Sequence, residues 1–465
     1  MWSLFDSLEI GKKSLAAQQA ALQVTGNNIA NVNTPGYHRQ RAVLEPTSPV
    51  PTLIGDLGTG VTVSQVISVR DQFLELRISQ ATQNVSMQDT MAAFLKQVGT
   101  TFDTEDSGIQ EGLSRFFNSF TVLATDPASS PLRYGVLSAA QDVATSFRNT
   151  ARQLIEIQSQ ANSAAEETVH HINELTARIG QLNTQITIAE AGGHEAATLR
   201  DERSSAIQEL AASIDIHYYE AEDGTVNVST AGGDSLVTAG FVSEVRTETQ
   251  PPNGFIGAFV GTREITDSVR GGKLGGLLEV RDRLIPAYQQ ELDALAAQII
   301  AQVNAAHAAG TDLQTPSTSP AANLFVPAAS VAGAAAAFSV NPTVAADVRY
   351  IAAGQSGSPG DNSNALAIAA LAFQKTLAGG TQTFSESFAA LQFEVGTDEQ
   401  SATLQSGIGN AMLTQLENSR DSYSGVSLDE EATDLIRFQR AYQAAARYVS
   451  VIDQLTEELL QTLGR

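Results

Sequence analysis

Both ends of the chain carry an apolar residue at nearly every seventh position, the repeat of a helix that packs along another helix. The N-terminal repeat is Leu8, Leu15, Leu22 and Ile29, with a thinner companion row of Leu4, Gly11, Gln18 and Thr25. The C-terminal repeat is Leu428, Leu435, Tyr442, Val449 and Leu463, interrupted by Thr456, with Ala432, Gln439, Ala446 and Leu460 as the companion row. Two ordinary helices on one globular core would give the same repeats. Because small and polar residues thin both rows, we expect instead that the terminal helices pair with each other and with neighbouring copies, and we call the two apolar repeats the assembly seam.

Length and composition indicate a folded protein of two to four domains. The chain has 465 residues, of which 42% are hydrophobic, and it has no cysteine. The lack of cysteine excludes disulfides, thiolate metal sites and cysteine nucleophiles, but leaves the cellular compartment open. The N-terminal stretch has no uninterrupted apolar core of the length of a cleaved signal, and no apolar run reaches the roughly 18 residues of a membrane span. These features alone predict a cytoplasmic protein.

The charge is strongly acidic and unevenly distributed. The formal net charge is -24, and most of it lies in the middle of the sequence, whereas both ends are close to neutral. An acidic middle argues against binding to nucleic acid or to an anionic membrane. Near-neutral ends favour close packing of copies against each other.

The order of patterns along the chain predicts a mainly α protein with a small β insertion, built from discontinuous, nested domains. Helical spacing, alternation, glycine and proline place the boundaries. We expect a terminal coiled-coil domain at 1–38 and 426–465, an extended β connector of two or three strands at 39–70, an antiparallel helical rod domain at 71–212, 272–310 and 361–425, an inserted β domain at 213–271, and a loose segment with short strands at 311–360, one of them at 338–344.

Two patterns inside the predicted rod and insertion are specific enough to place core residues. Phe116, Phe117 and Phe120 fall on nearly one helix face, which favours a bundle core over an aromatic binding site. A seam follows in a long helix, with residues three and four apart: Ile172, Leu175, Ile179, Leu182 and Ile186. Beyond it, the alternation changes to a period of two around the hairpin turn Asp223-Gly224, which begins the β insertion.

No arrangement of residues predicts catalysis, a cofactor or a metal ion. The six histidines are scattered without the spacing that zinc requires. Gly271-Gly272-Lys273 lacks the Ser or Thr of a phosphate loop. Paired acids such as Glu430-Glu431 are better explained as solvated charges that complement the positive end of a helix dipole.

The residues after the N-terminal repeat carry a motif. The run Ala30-Asn31-Val32-Asn33-Thr34-Pro35-Gly36-Tyr37 must end the helix, because Thr34 precedes proline and Gly36 permits a turn. Its motif positions, together with flanking ones, are Asn28, Asn31, Asn33, Thr34, Pro35, Gly36, Tyr37, Arg39 and Gln40. This stretch resembles the N-terminal signature of bacterial flagellar axial proteins, which comprise rod, hook and hook-associated proteins. Leu428-Asp429-Glu430-Glu431 and Arg440-Ala441-Tyr442-Gln443-Ala444 resemble the C-terminal signature of the same proteins.

Within that superfamily, Leu4-Phe5-Asp6-Ser7-Leu8 and Tyr37-His38-Arg39-Gln40 resemble the hook-associated proteins that join hook to filament, which more often have serine in place of His38. The resemblance implies a structural, non-enzymatic adaptor that assembles through its terminal helices. It also implies export without a cleaved signal peptide and residence outside the cell, in the flagellum. The implied partners are other copies in a ring at the hook tip, the hook protein, the next hook-associated protein toward the filament, and a flagellar export chaperone.

Two alternatives remain at this point. A hook or distal-rod protein shares the terminal signatures, but the long helix predicted at 132–190 argues against it, because those proteins are mainly β outside their terminal helices. A secreted adhesin or enzyme could be carried on the insertion at 213–271, although no chemical group converges there.

Overall fold

The computed structural model describes residues 4–34, 36–52, 55–102, 108–314 and 321–463. The helices in these ranges are α1 Leu4–Ala30, α2 Gln72–Phe102, α3 Ile109–Leu123, α4 Ser130–Glu190, α5 Ala197–Ser213, α6 Gly272–Glu279, α7 Ile285–Ala308, α8 Ala334–Ala337, α9 Pro342–Ala346, α10 Ser363–Ala370, α11 Phe384–Ser424 and α12 Leu428–Leu463. The strands are β1 Gln40–Pro46, β2 Val50–Thr52, β3 Gly55–Leu57, β4 Val61–Ser68, β5 Ile216–Glu220, β6 Val226–Thr230, β7 Ser235–Thr238, β8 Phe241–Val242, β9 Val245–Gln250, β10 Phe255–Val260 and β11 Arg263–Glu264. The predicted fold class, mainly α with a small β insertion, is confirmed, and the strands form small antiparallel sheets. Within the described ranges, no helix is both long and apolar enough to cross a membrane.

The chain ends lie side by side, and a β connector follows them. Helix α1 packs on α12 along its length. The connector was expected to have two or three strands, but it forms two antiparallel pairs, β1 with β4 and β2 with β3. Strand β1 runs from Gln40, paired with Ser68, to Pro46, paired with Val61. The Arg39 amide donates to the Ser424 carbonyl at 2.9 Å, which attaches the start of the connector to the end of α11.

The rod is a helical bundle with a continuous apolar core. Helix α11 packs on α2, α3 on α4, and α4 on α5. Phe116 and Phe120 are fully buried, as predicted, and their ring centroids are 5.5 Å apart. Phe116 also contacts Phe325, and Phe325 contacts Phe338, so the segment after α7 completes this core.

The β insertion lies on the distal half of α4. Its strands form a four-stranded sheet in the order β5-β6-β7-β8 and a three-stranded sheet in the order β11-β10-β9. Buried polar side chains hold both sheets to the helices: Asn183 donates to the Val226 carbonyl at 2.8 Å, and Arg281 donates to the Ile256 carbonyl at 2.8 Å. The predicted seam of α4, from Ile172 to Ile186, is buried beneath them.

The segment at 311–360 differs from the expectation. The strand predicted at 338–344 is wrong, and the described residues of this segment contain isolated bridges, such as Phe325 with Val340, and the short helices α8 and α9 instead of strands. Asn341 accepts a hydrogen bond from the Thr343 amide and Pro342 begins α9, which is the usual start of a helix. Residues 315–320 of the segment lie outside the described ranges.

Helix α6 meets α2 at a position where only glycine fits. A Cβ atom at Gly276 would lie 2.7 Å from the Met87 carbonyl oxygen and 2.9 Å from the Thr90 Cβ. We therefore expect Gly276→Ala to lower the free energy of unfolding by about 1–3 kcal/mol, since backbone must move to admit the methyl group. Thermal unfolding measures the change.

Gly135→Ala in α4 is the matched control, because a Cβ there meets nothing within 4 Å. This substitution is expected to raise the free energy of unfolding by up to about 1 kcal/mol, since alanine favours the helix. If Gly276→Ala melted at the same temperature as the wild-type chain or above it, the close contact between α6 and α2 would be incorrect.

Candidate functional site: the junction of the chain ends

The two terminal helices approach closely because α1 presents small residues to α12. A Cβ atom at Gly11 would lie 2.5 Å from Cγ2 of Val449. Towards the other end of α1, Asn28 contacts Glu431 near the start of α12, so the helices are antiparallel. The buried residues of α1 are Gly11, Ala17, Ala21, Thr25 and Asn28. Of the thin companion row, Gly11 therefore lies at a close contact with α12, and Thr25 is buried.

The assembly seam predicted from the heptads occupies the margins of this contact. In α1, Leu8, Leu15, Leu22 and Ile29 are all half-buried. In α12, Leu435 and Val449 are half-buried, whereas Leu428 and Tyr442 are exposed. Leu463 ends α12, and its side chain lies outside the described residues. The role of these residues in assembly stays a prediction.

The companion row of α12 is not buried against α1, and its role in contacts between copies stays a prediction. Ala432, Gln439, Ala446 and Leu460 are exposed, whereas Glu431, Ala445 and Ile452 are buried and Phe438 is half-buried. On a helix, residues four before and four after a heptad position lie on opposite sides of its row. The contact with α1 buries the residues four before the heptad positions, because Asn28 and Arg39 bind Glu431, which is the first of them.

The motif after α1 folds as a turn held by its own side chains. The Asn31 side-chain Nδ2 donates to the Asn27 carbonyl at 2.9 Å, and the Thr34 hydroxyl donates to Oδ1 of Asn31 at 3.2 Å. Gly36 has a φ of 75°, a conformation that glycine adopts without strain. Asn33 and Thr34 are exposed, and Pro35 lies outside the described residues. This half of the motif is therefore accessible to another molecule.

Asn28 is the centre of the other half of the motif. Its Nδ2 donates to the Gln40 carbonyl at 2.9 Å and to Oε2 of Glu431 at 3.1 Å. Its Oδ1 accepts from the Gln40 amide at 3.0 Å and from the Tyr37 hydroxyl at 2.8 Å. Burial, together with the charges of Asp201 and Glu431, raises the pKa of Tyr37 to about 12, so its hydroxyl remains a donor at neutral pH. One buried amide thus joins α1, β1 and α12.

Arg39 and the acids at the start of α12 form the second part of the junction. Arg39 Nε donates to Oε1 of Glu431 at 2.7 Å, and its guanidinium also pairs with Glu430 and lies 3.7 Å from Asp434. Glu431 is 1% exposed, so its charge depends on Arg39 and Asn28. The acids at this helix start were expected to be solvated charges, and for Glu431 that expectation is wrong.

His38 connects the junction to the rod through two buried carboxylates. Its Nδ1 lies 2.8 Å from Oδ1 of Asp201 in α5, and its Nε2 lies 2.8 Å from Oε1 of Glu75 in α2. Burial alone would lower the pKa of His38, but its hydrogen bonds to Asp201 and Glu75 outweigh this effect and raise the pKa. Because both ring nitrogens face carboxylates, the protonated imidazole is the form that satisfies both contacts.

Sequence reasoning missed His38, Glu75, Asp201 and Glu431 as members of the site. His38 is 37 residues from Glu75 and 163 residues from Asp201, and local spacing carries no signal over such separations. Among the described residues, no group of three or more histidine, aspartate or glutamate side chains is placed to hold a metal ion.

Three family models match the chain in sequence. Residues 95–325 match the helical domain of flagellar hook-associated protein FlgK. Residues 8–38 match the flagella basal body rod protein, and residues 418–462 match the flagellar basal body rod FlgEFG protein C-terminal region. The two terminal matches coincide with the junction, and the central match covers α3, α4, the β insertion and α7.

Curated proteins and a solved structure are similar over most of the chain. Flagellar hook-associated protein 1 of Bacillus subtilis is 30% identical, and the match covers 100% of this chain and 99% of that protein. Flagellar hook-associated protein 1 of Escherichia coli is 24% identical over 96% of this chain and 97% of that protein. The flagellar hook junction protein FlgK of Burkholderia pseudomallei superposes with a TM-score of 0.67 at 17% identity, over 75% of this chain and all of that one, which establishes a common fold.

The pKa of His38 predicts how stability depends on pH. An imidazole whose pKa is higher in the folded chain stabilises the fold fully below its unfolded pKa of about 6.5, and that stabilisation is lost as the pH rises through the folded pKa. We therefore expect the wild-type melting temperature to fall as the pH rises above about 6.5, through the raised pKa of His38. His38→Gln, which cannot titrate, should lack this fall and should be destabilised by about 1–3 kcal/mol at pH 6.

His194→Gln is the control, because His194 is exposed. It should keep the pH dependence of the wild-type chain. Parallel melting profiles of His38→Gln and the wild-type chain from pH 6 to pH 9 would contradict the bridging role of His38.

Proposed function

This chain belongs to the flagellar hook-associated protein 1 family, a family of structural flagellar proteins, and we propose that it is the adaptor that joins hook to filament. It is accordingly a component of the bacterial flagellum. The observation that supports the adaptor role is the junction of the chain ends. There α1 and α12 pair to form what we call the terminal stalk, and this stalk exposes apolar side chains. We further propose that the terminal helices at 1–38 and 426–465 are a separate assembly unit, as expected from the sequence.

The terminal stalk has apolar surface that its own partner helix leaves uncovered. Helix α1 has 27 residues and α12 has 36 residues. At about 1.5 Å per residue, α12 is longer by about 14 Å. Leu455, Leu459 and Leu460 lie at its far end and are 43%, 47% and 68% exposed. Such leucines gain stability only when another chain covers them, which supports self-assembly through this stalk.

The proposed partners follow from this surface and from the family. Copies of the chain form a ring at the hook tip, with the hook protein on one side and the next hook-associated protein on the other. The chain is exported without a cleaved signal peptide. Before export, a flagellar export chaperone binds α12 in a groove and covers its exposed side. The final location is outside the cell.

The remaining candidates are less well supported. A hook or distal-rod protein would share the terminal matches, but the match of residues 95–325 to a FlgK helical domain favours the junction protein. We propose that the chain is not an enzyme, because neither the junction nor the insertion brings together groups that fit a catalytic role among the described residues. Assembly onto hook ends tests the structural role without an enzyme assay.

Leu460→Asp separates assembly from monomer stability. Leu460 is 68% exposed, so the substitution should leave the melting temperature of the purified monomer unchanged within about 1 °C. Burying the new charge between copies would cost several kcal/mol, so attachment to isolated hook ends, counted by electron microscopy, should be lost. Capture by the export chaperone should weaken in the same variant. Leu435 is unsuitable for this test because it is half-buried against α1.

The conservative Leu460→Met should attach normally, because it keeps the apolar surface. If Leu460→Asp attached to hook ends as efficiently as the wild-type chain, the exposed side of α12 would have no role in assembly. If the wild-type chain itself failed to attach, the adaptor role would be wrong.

A further inference from the structure

Helix α11 has one packed side and one open side. On the packed side, Ala402 and Leu416 are buried, and a Cβ atom at Gly409 would lie 2.8 Å from Val85 of α2. On the open side, large apolar side chains recur at helical spacing. These residues, Phe393, Leu404, Ile408 and Met412, are 76%, 62%, 62% and 50% exposed, and we call them the α11 outer face.

The part of α11 that carries Leu404, Ile408 and Met412 has no charged residue of its own, although the Ser406 hydroxyl in this part donates to Asp89 of α2. From residue 400 to residue 416 there is no aspartate, glutamate, lysine, arginine or histidine, and Glu399 and Glu417 bound this run. The whole chain carries a net charge of -24, so a helical surface of this length without an acid is unusual in this molecule. A solvated helix face normally carries charged residues. This face therefore has the composition of a contact surface.

Small residues within the face permit close approach by another chain. Gly407 lies between Leu404 and Ile408 in sequence, and a Cβ atom there would meet nothing within 4 Å. Ala411 lies one turn further along and is exposed. An apolar face with small residues between large ones is suited to packing against another helix.

The net charge of the chain indicates which kind of molecule binds the α11 outer face. A surface that binds a basic partner would carry acidic residues, and this chain has an excess of them. A face whose own side chains are uncharged is instead suited to a partner that is itself acidic, since two molecules of charge -24 repel each other least where neither brings charge to the contact. Helix α11 also leads into α12 after only residues 425–427, so copies that assemble through their terminal stalks bring their α11 helices near each other.

We infer that the α11 outer face packs against a second copy of this chain in the assembled junction, as a contact separate from the terminal helices. This inference rests on the proposed function. It assigns to the rod a share of the contact between copies, in addition to the share made by α1 and α12.

The test places a photo-crosslinking amino acid, benzoylphenylalanine, at position 408 of the full-length chain and irradiates it after attachment to hook ends. A covalent dimer of the chain supports the inference. A product with the hook protein, a chaperone or another flagellar protein would overturn it, and so would the absence of any product. The dimer should be absent from the unassembled monomer, because the proposed contact forms on assembly.

A pair of identical substitutions supplies the second measurement. Ile408→Glu should leave the monomer melting temperature unchanged and reduce attachment to hook ends about tenfold or more, since a charge would enter the contact. Ile188→Glu is the control, because Ile188 is 72% exposed in α4, away from this face. Normal attachment of Ile408→Glu, while Leu460→Asp fails to attach, would overturn the α11 contact and leave the adaptor role intact.

Discussion

The burial of Glu431 is the constraint on which the arrangement of the chain ends depends. A carboxylate that is 1% exposed is tolerable only when its charge is paired and hydrogen-bonded. Arg39 and Asn28 supply the partners, and each comes from a different side of the turn that follows α1. Because these contacts are directional, they define where α12 lies along α1, which apolar packing alone would leave free to slide. The junction is thus specified by polar contacts and stabilised by apolar ones.

The same junction also holds the terminal helices in place relative to the rod. His38 follows Tyr37 directly and binds carboxylates of α2 and α5, and Arg70 reinforces Asp201 at 2.8 Å. The Arg39 amide is bonded to the end of α11. A segment of three residues therefore touches both terminal helices and three helices of the rod.

Periodicity predicted the elements well and their contacts less well. Heptad spacing placed both terminal helices, the seam of α4 and the phenylalanine core of α3, because these patterns are local. Heptad spacing placed Leu8 in the main apolar row and Gly11 in the thinner companion row. A close approach of α1 and α12 is nevertheless at Gly11, since small residues allow backbones to come together. The contacts of Asn28 with Glu431 and of His38 with Asp201 join positions 403 and 163 residues apart, and no pattern within a single sequence encodes them. A strand was expected at 338–344, but the cap at Asn341 and the proline after it favour the helix α9.

Hydrogen–deuterium exchange over α12 in the purified chain tests the central role of the Asn28–Glu431 contact most directly. Asn28→Asp keeps the shape of the side chain but places a carboxylate against Glu431 and the Gln40 carbonyl, and Asn33→Asp makes the same change at an exposed position. The account predicts that Asn28→Asp speeds exchange of the hydrogen-bonded amides in the second and third turns of α12 at least about tenfold, equivalent to about 1.4 kcal/mol, while Asn33→Asp leaves exchange unchanged. Equal exchange of α12 in both variants and in the wild-type chain would contradict it.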